Sequence, residues 1–223
     1  MASDNITIDV QQFLAFFDEE APGSVGHATS LVAVAGEDLG TALLLHYLRS
    51  VGTDAEALPE RCTQGTNKGY RLDRWILAHQ TEGPVLYQVE IKNWSAHAIG
   101  GKRLAREASS DELRSYKTER WLSMWTGTQF RTESVRKVLT PMRSPSPGVP
   151  IEALVCFWTA LHPEGEETPL FSVPLPLHEH FQRVWVFSMS SYLRSVKQAS
   201  LVLRMPEVAQ RQAWLARLFP ITS

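Results

Sequence analysis

Two cysteines in 223 residues, Cys62 and Cys156, are too few for a disulfide framework or a complete zinc-finger ligand set. No charge of one sign dominates. The 22 Lys and Arg stand against 24 Asp and Glu, which excludes a polycationic coat for nucleic acid or membrane over the whole chain. No apolar run is clean enough to span a bilayer: the most apolar stretch, Leu31 to Leu48, is broken by Glu37 and Asp38. The opening residues, Met1-Ala2-Ser3-Asp4-Asn5, lack the basic region and apolar run of a secretory signal. Solenoid-period repeats and low-complexity tracts are missing too. These absences lead to the expectation of a soluble, reduced, cytoplasmic protein with no membrane partner. What is present is core material: 43% of residues are hydrophobic and 21% charged, which excludes disorder throughout.

The charges are unevenly spread. Residues 1–60 carry ten Asp and Glu against one basic residue, Arg49, whereas residues 102–143 carry ten Lys and Arg against five acids. Such asymmetry suits a face for phosphates, although a solvated helix surface of mixed charge gives the same count. Along the chain, Thr7 to Asp18 reads as a short helix ended by Ala21-Pro22-Gly23, and a long, largely apolar and hence central helix runs from Ser24 to about Ser50. Ala57 to Thr63 reads as a weak strand. Tyr70 to His79 and Val85 to Trp94 read as stronger strands, with Thr81-Glu82-Gly83-Pro84 as the turn between them. A polar helical region follows over roughly Ala108 to Val138, then a Pro-rich connection from Pro141 to Pro150. Ile151 to Ala160 and Arg183 to Met189 read as strands, and Ser191–Leu203 and Glu207–Leu218 as helices, with Pro206 fitting the first turn of the last. The expected class is α/β, opening on a meander rather than strict alternation. Three stretches divide the single domain: an acidic helix and linker over 1–23, a core over 24–160, and a strand with helices over 161–223 that pack on the core.

Chemistry concentrates at Asp73, Glu90 and Lys92. On a strand, Glu90 and Lys92 share a face ~6.6 Å apart while Ile91 points the other way. A turn centred between Thr81 and Glu82 pairs positions so that Asp73 falls opposite Glu90, with Cβ atoms ~5 Å apart. Two carboxylates at that distance repel unless a cation joins them. Oxygen ligands suit a hard ion such as Mg2+ (or Mn2+), with water and substrate phosphate completing its shell. Lys92 adds a compact ammonium able to hold or polarise a water beside the ion. Together these groups suit hydrolysis of a phosphodiester, or, more plainly, an exposed hairpin face on which Lys92 neutralises Glu90.

The spacing Asp73, sixteen residues, then Glu90-Ile91-Lys92 resembles the active-site signature of the PD-(D/E)XK nuclease superfamily, which includes restriction endonucleases. The residue before Asp73 is Leu72, where the namesake motif has a proline that varies among members. The superfamily's core order of helix, three strands, helix and strand matches the order read here over roughly 24–160. The resemblance implies a restriction-endonuclease-like core with a central mixed sheet flanked by helices. It implies that Asp73 and Glu90 bind the metal, with the Ile91 carbonyl an added ligand and Lys92 the catalytic lysine. A glutamate from the first core helix joins the site in many members, and Glu37 occupies that place. Helical spacing separately sets Glu37 in a stripe with Val34, Thr41, Leu44 and Leu48, where a buried charge needs a cation or a donor; the other reading is a helix-surface acid beside Asp38.

Around this signature, Gly100-Gly101-Lys102-Arg103 reads either as a basic phosphate loop or as a plain connection. Arg114, Lys117 and Arg120 form one basic ridge suited to nucleic-acid phosphates. His178-Glu179-His180 lacks a third ligand and reads as a loop pair, Cys62 as a core thiol, and Trp121, Trp125 and Trp158 as core or base-stacking residues. The expectation is a Mg2+-dependent endonuclease acting on DNA rather than RNA. Defence against foreign DNA is common among proteins with this core. Cutting both strands favours a homodimer or a partner protein. The rival is a catalytically silent, nuclease-like binding or interaction subunit of a larger complex, motivated by the near-neutral charge and the acidic first third.

Overall fold

The computed structural model describes residues 4–18, 25–64, 69–92, 130–162 and 168–218, with the backbone alone for 16–18, 25–34 and 130–132. Two strands of the chain lie apart from the main sheet. β1 (Asn5–Asp9) pairs antiparallel with β8 (Ser200–Arg204), Ile6 opposite Leu203 and Ile8 opposite Leu201. The helix expected from Thr7 is therefore a strand up to Asp9. Ile6-Thr7-Ile8 is β-branched and finds a partner 200 residues away, and tertiary pairing overrides local pattern. Helix α1 (Val10–Asp18) starts only after Asp9, whose carboxylate accepts from the Gln12 amide at 2.8 Å and caps it.

Helix α2 (Val25–Ser50) is the long helix expected. Leu39, Leu43, Leu44 and Leu48 are buried along it. It leads through Gly52, whose φ of 85° favours glycine, into β2 (Asp54–Leu58). The first strand thus precedes the expected Ala57–Thr63. Its ladder partner is β3 (Arg74–Gln80), Asp54 opposite His79 and Leu58 opposite Trp75, and Pro59, with no N–H to donate, follows its last residue. β4 (Gly83–Lys92) closes the meander.

After residue 129 come α3 (Phe130–Arg136), a single 3-10 turn (Lys137–Leu139), and a loop to β5 (Ile151–Phe157). Strands β6 (Leu170–Pro174) and β7 (Arg183–Ser188) and helix α4 (Met189–Ser195) follow, and α5 (Pro206–Leu218) ends the described chain. The helix expected over Ser191–Leu203 breaks at Ser195. Leu201 and Leu203 are buried while Val202 is 59% exposed, the two-residue period of β8. β6 has no counterpart among the strands that the sequence predicts.

The main sheet has six strands in the order β2-β3-β4-β5-β7-β6. β2, β3 and β4 are antiparallel neighbours, β4–β5 and β5–β7 are parallel, and β6 returns antiparallel to β7. The molecule is thus mixed α/β, a central mixed sheet flanked by helices. Because side chains alternate across a strand, β4 serves both faces. Tyr87, Val89 and Ile91 join Leu43, Leu44, Phe187 and Tyr192 in the cluster under α2 and α4. Leu86 joins Trp75, Val138, Leu139 and Phe157 in the cluster beneath α3 and the 3-10 turn. At Gly40 an added Cβ would lie 2.7 Å from Ile91 Cγ2, so α2 and β4 approach as closely as only glycine allows. Among the described residues no helix is long and apolar enough to cross a membrane.

Candidate active site

The β3–β4 hairpin turns at Thr81-Glu82, Gln80 opposite Gly83 and Arg74 opposite Val89. This register, continued by one residue, sets Asp73 level with Glu90. Asp73 still donates its amide to the Val89 carbonyl at 3.0 Å. The next amide of β4, that of Ile91, donates instead to Asp73 Oδ2 at 2.6 Å. The Asp73 carboxylate thereby takes over from the backbone at the end of the ladder, on the face that carries Gln88, Glu90 and Lys92. Its carboxyl is raised from 3.8 to about 6, first by burial and next by the Glu90 charge. The Ile91 amide, Lys92 and Lys137 act in the opposite direction.

Glu90 is the most enclosed of these groups, its side chain 4% exposed. Oε1 accepts from Lys92 Nζ at 2.5 Å and lies 3.5 Å from Lys137 Nζ. Oε2 is buried with no hydrogen-bond partner among the described residues. Two carboxylates and two ammonium groups thus form a compact, formally neutral cluster in which a buried anionic oxygen, Glu90 Oε2, has no hydrogen-bond partner among the described residues.

The sequence puts Lys137 in the basic stretch over 102–143, and nothing in its spacing points to Glu90. Gln88 brings it there. Fully buried on the same face of β4 two residues before Glu90, Gln88 donates to the Val138 and Thr140 carbonyls at 2.5 and 2.9 Å and accepts from the Met142 amide at 3.1 Å. A polar residue inside a strand that reads as central was the available signal, since a buried amide must find partners.

Glu37 is not the buried charge its apolar stripe suggested. Its side chain is 48% exposed and its Oε2 lies 3.7 Å from Arg74 Nη1. Burial and the Asp73 charge raise its carboxyl, which Arg74 opposes. Arg74 also donates to the Asp73 carbonyl at 3.0 Å and pairs with Glu207, so it ties the start of β3 to α2 and α5. The buried acid of α2 is the neighbouring Asp38, which accepts from the Val208 amide at 3.0 Å and caps α5. Among the described residues no three His, Cys, Asp or Glu side chains converge as ligands of one ion.

Lys102, Arg103, Arg114, Lys117 and Arg120 lie outside the described residues, as do Trp121 and Trp125. Trp158 is in the core, and so is Cys62, whose thiol burial and the nearby Asp73 and Glu90 charges push up to about 12. His178 shapes its own loop, accepting at Nδ1 from the His180 and Phe181 amides at 3.3 and 3.2 Å. Compared with protein-family models, curated proteins and solved structures, the chain matches none.

Proposed function

We propose that this chain is a metal-dependent nuclease with a restriction-endonuclease-like core, hydrolysing phosphodiester bonds of DNA. The carrying observation is the Glu90 carboxylate. One oxygen is held by Lys92, the other is buried and unpartnered among the described residues, and the Glu90 charge acts on Asp73. An unpaired buried anionic oxygen costs several kcal/mol in a purely structural role, about 1–3 or more by the usual cost of an unmet hydrogen bond. A divalent cation removes that cost. The donors fit one: two carboxylates within charge-coupling range and the backbone at Ile91 are hard oxygen ligands of the kind Mg2+ or Mn2+ takes. The order α2, β2, β3, β4, helix, β5, with β5 parallel to β4, supports the same reading.

In this reading Asp73, Glu90 and the Ile91 carbonyl hold the ion. When bound, it stabilises charge growing on the phosphate and lowers the pKa of water. The protein's own groups do the rest. The Ile91 amide fixes the Asp73 carboxylate by its hydrogen bond. Lys92 is held against Glu90, and in this reading its charge would disperse negative charge on a substrate oxygen or the attacking water. Glu37 lies on α2, anchored by Arg74, and in this reading it would reach the ion through water rather than as a direct ligand.

One observation favours the silent alternative: Lys92 and Lys137 already neutralise Glu90 without any ion. The two readings part on metal. Incubation with single-stranded DNA, duplex DNA and RNA, with and without Mg2+, is expected to give Mg2+-dependent cleavage of DNA. Asp73→Asn, Glu90→Gln and Lys92→Ala are each expected to lower it by 100-fold or more, about 3 kcal/mol of transition-state stabilisation. Mn2+ is expected to raise the melting temperature of the native chain and not of Glu90→Gln. No cleavage and no metal-dependent shift would leave the silent subunit standing.

A further inference from the structure

Beside the carboxylates lies a groove of about 690 Å3 whose walls include Tyr70, Glu133, Arg136, Lys137, Thr140 and His178. Its size falls within the range of sites that hold a small ligand, and it is wide enough for a nucleotide unit. Lys137 belongs to both places: it lines the groove, and its Nζ is 3.5 Å from Glu90 Oε1. Through Lys137 the groove adjoins the carboxylate cluster. Three features point to what it takes.

The first is a guanidinium. Arg136 lines the groove, and its Nε is buried behind the wall with no hydrogen-bond partner among the described residues, which leaves the rest of the guanidinium as its available donors. The second is rigidity. Gln88 fixes the backbone of residues 138–142 with three hydrogen bonds, so Arg136 and Lys137 stand on a turn whose position is set by β4 itself. A preorganised pair of donors binds at less entropic cost than two lysines on a free loop. The third is charge. Arg136 and Lys137 are cations, and Glu133 is the one carboxylate among the lining residues named. An acceptor-rich anion matches these two positive charges and relieves the competition of two ammonium groups for one oxygen of Glu90. Tyr70, 53% exposed, presents an aromatic face in the same groove.

We infer that this groove seats a phosphate of the nucleic-acid strand next to the scissile bond, gripped by Arg136 and Lys137, with Tyr70 against the adjoining base. The inference rests on the nuclease reading for the word scissile, but the grip itself needs neither a metal nor cleavage. A single strand is the form that fits, because a base must leave its stack to lie on Tyr70.

Binding of a fluorescein-labelled 12-nucleotide single-stranded DNA to the full chain, followed by anisotropy in EDTA, tests it. Lys137→Gln and Arg136→Ala are each expected to weaken binding about 5–20-fold and to lower the salt slope by roughly 0.7, one phosphate contact on a single strand. Tyr70→Ala is expected to weaken binding about 5–100-fold, and Tyr70→Phe to restore it. Arg136 is partly buried, so unaltered circular dichroism is required of its variant. Lys137→Gln gives an independent reading should Arg136→Ala fail to fold. Equal affinity and salt slope in Lys137→Gln and the native chain, or no binding by the native chain, overturns the inference. Binding that falls as expected in a chain that never cleaves would instead discard the nuclease reading and keep the groove.

Discussion

A carboxyl group set against a second carboxylate under cover of a sheet holds its proton longer than one in water. Asp73 does so: burial first, and the Glu90 charge next, bring it from 3.8 to about 6. The sign of the consequence follows. Between those two values the folded chain keeps a proton on Asp73 that the unfolded chain has released, so this group's contribution to stability falls as pH rises through that window and levels off above it. Asp73→Asn keeps an oxygen for the Ile91 amide but removes the ionisation. Without metal, its stability is expected to equal that of the native chain near pH ~4 and to exceed it by about 1–2 kcal/mol near pH ~7.5. Urea unfolding in EDTA at the two pH values measures this. A difference that does not grow with pH contradicts the placement of Asp73 beside Glu90. The same variant is the one expected to lose cleavage, a residue set for chemistry at the expense of the fold.

At the scale of elements, sequence legibility depended on how far away the deciding partner lay. The hairpin register could be read from a local turn: Thr81-Glu82 sets Gln80 opposite Gly83, and Asp73, Glu90 and Lys92 fall on one face from there. The long α2 and the order of the meander were legible for the same reason, since apolar period and turn chemistry are local. β1 and β8 were not, because each is a strand only through the other. Lys137 was not either, because no spacing rule links position 137 to position 90; a buried glutamine does. That glutamine carries a testable consequence. Gln88→Leu preserves bulk in the core but strands the Val138 and Thr140 carbonyls and the Met142 amide, a loss of about 3 kcal/mol for three hydrogen bonds to a buried amide. Chemical denaturation is expected to show that loss, and hydrogen exchange to show faster exchange at Met142. A neutral substitution would mean the 3-10 turn is held by something other than Gln88.

For the molecule as a whole, one sheet separates two apolar clusters and belongs to both. Leu43 on α2 is fully buried in the first and Leu86 on β4 in the second, while β4 itself also sends Tyr87, Val89 and Ile91 to the first. A cavity on either face therefore loosens strands that the other face needs, so the described chain should melt as one unit rather than as two. The acidic stretch over 1–60 reaches this unit through α2 and β2, so the charge asymmetry of the sequence does not mark a boundary between folding units. Leu43→Ala and Leu86→Ala are each expected to cost about 2–5 kcal/mol, the usual range for emptying a buried leucine. They lie in different clusters but on the two faces of one sheet, so the cost of the double variant is expected to depart from the sum of the single costs by about 0.5–3 kcal/mol. Tryptophan fluorescence and far-ultraviolet circular dichroism are expected to report one coincident transition for all three. Two separated transitions in Leu43→Ala would show that the carboxylate face stands without α2, and that the site rests on the hairpin and the 3-10 turn alone.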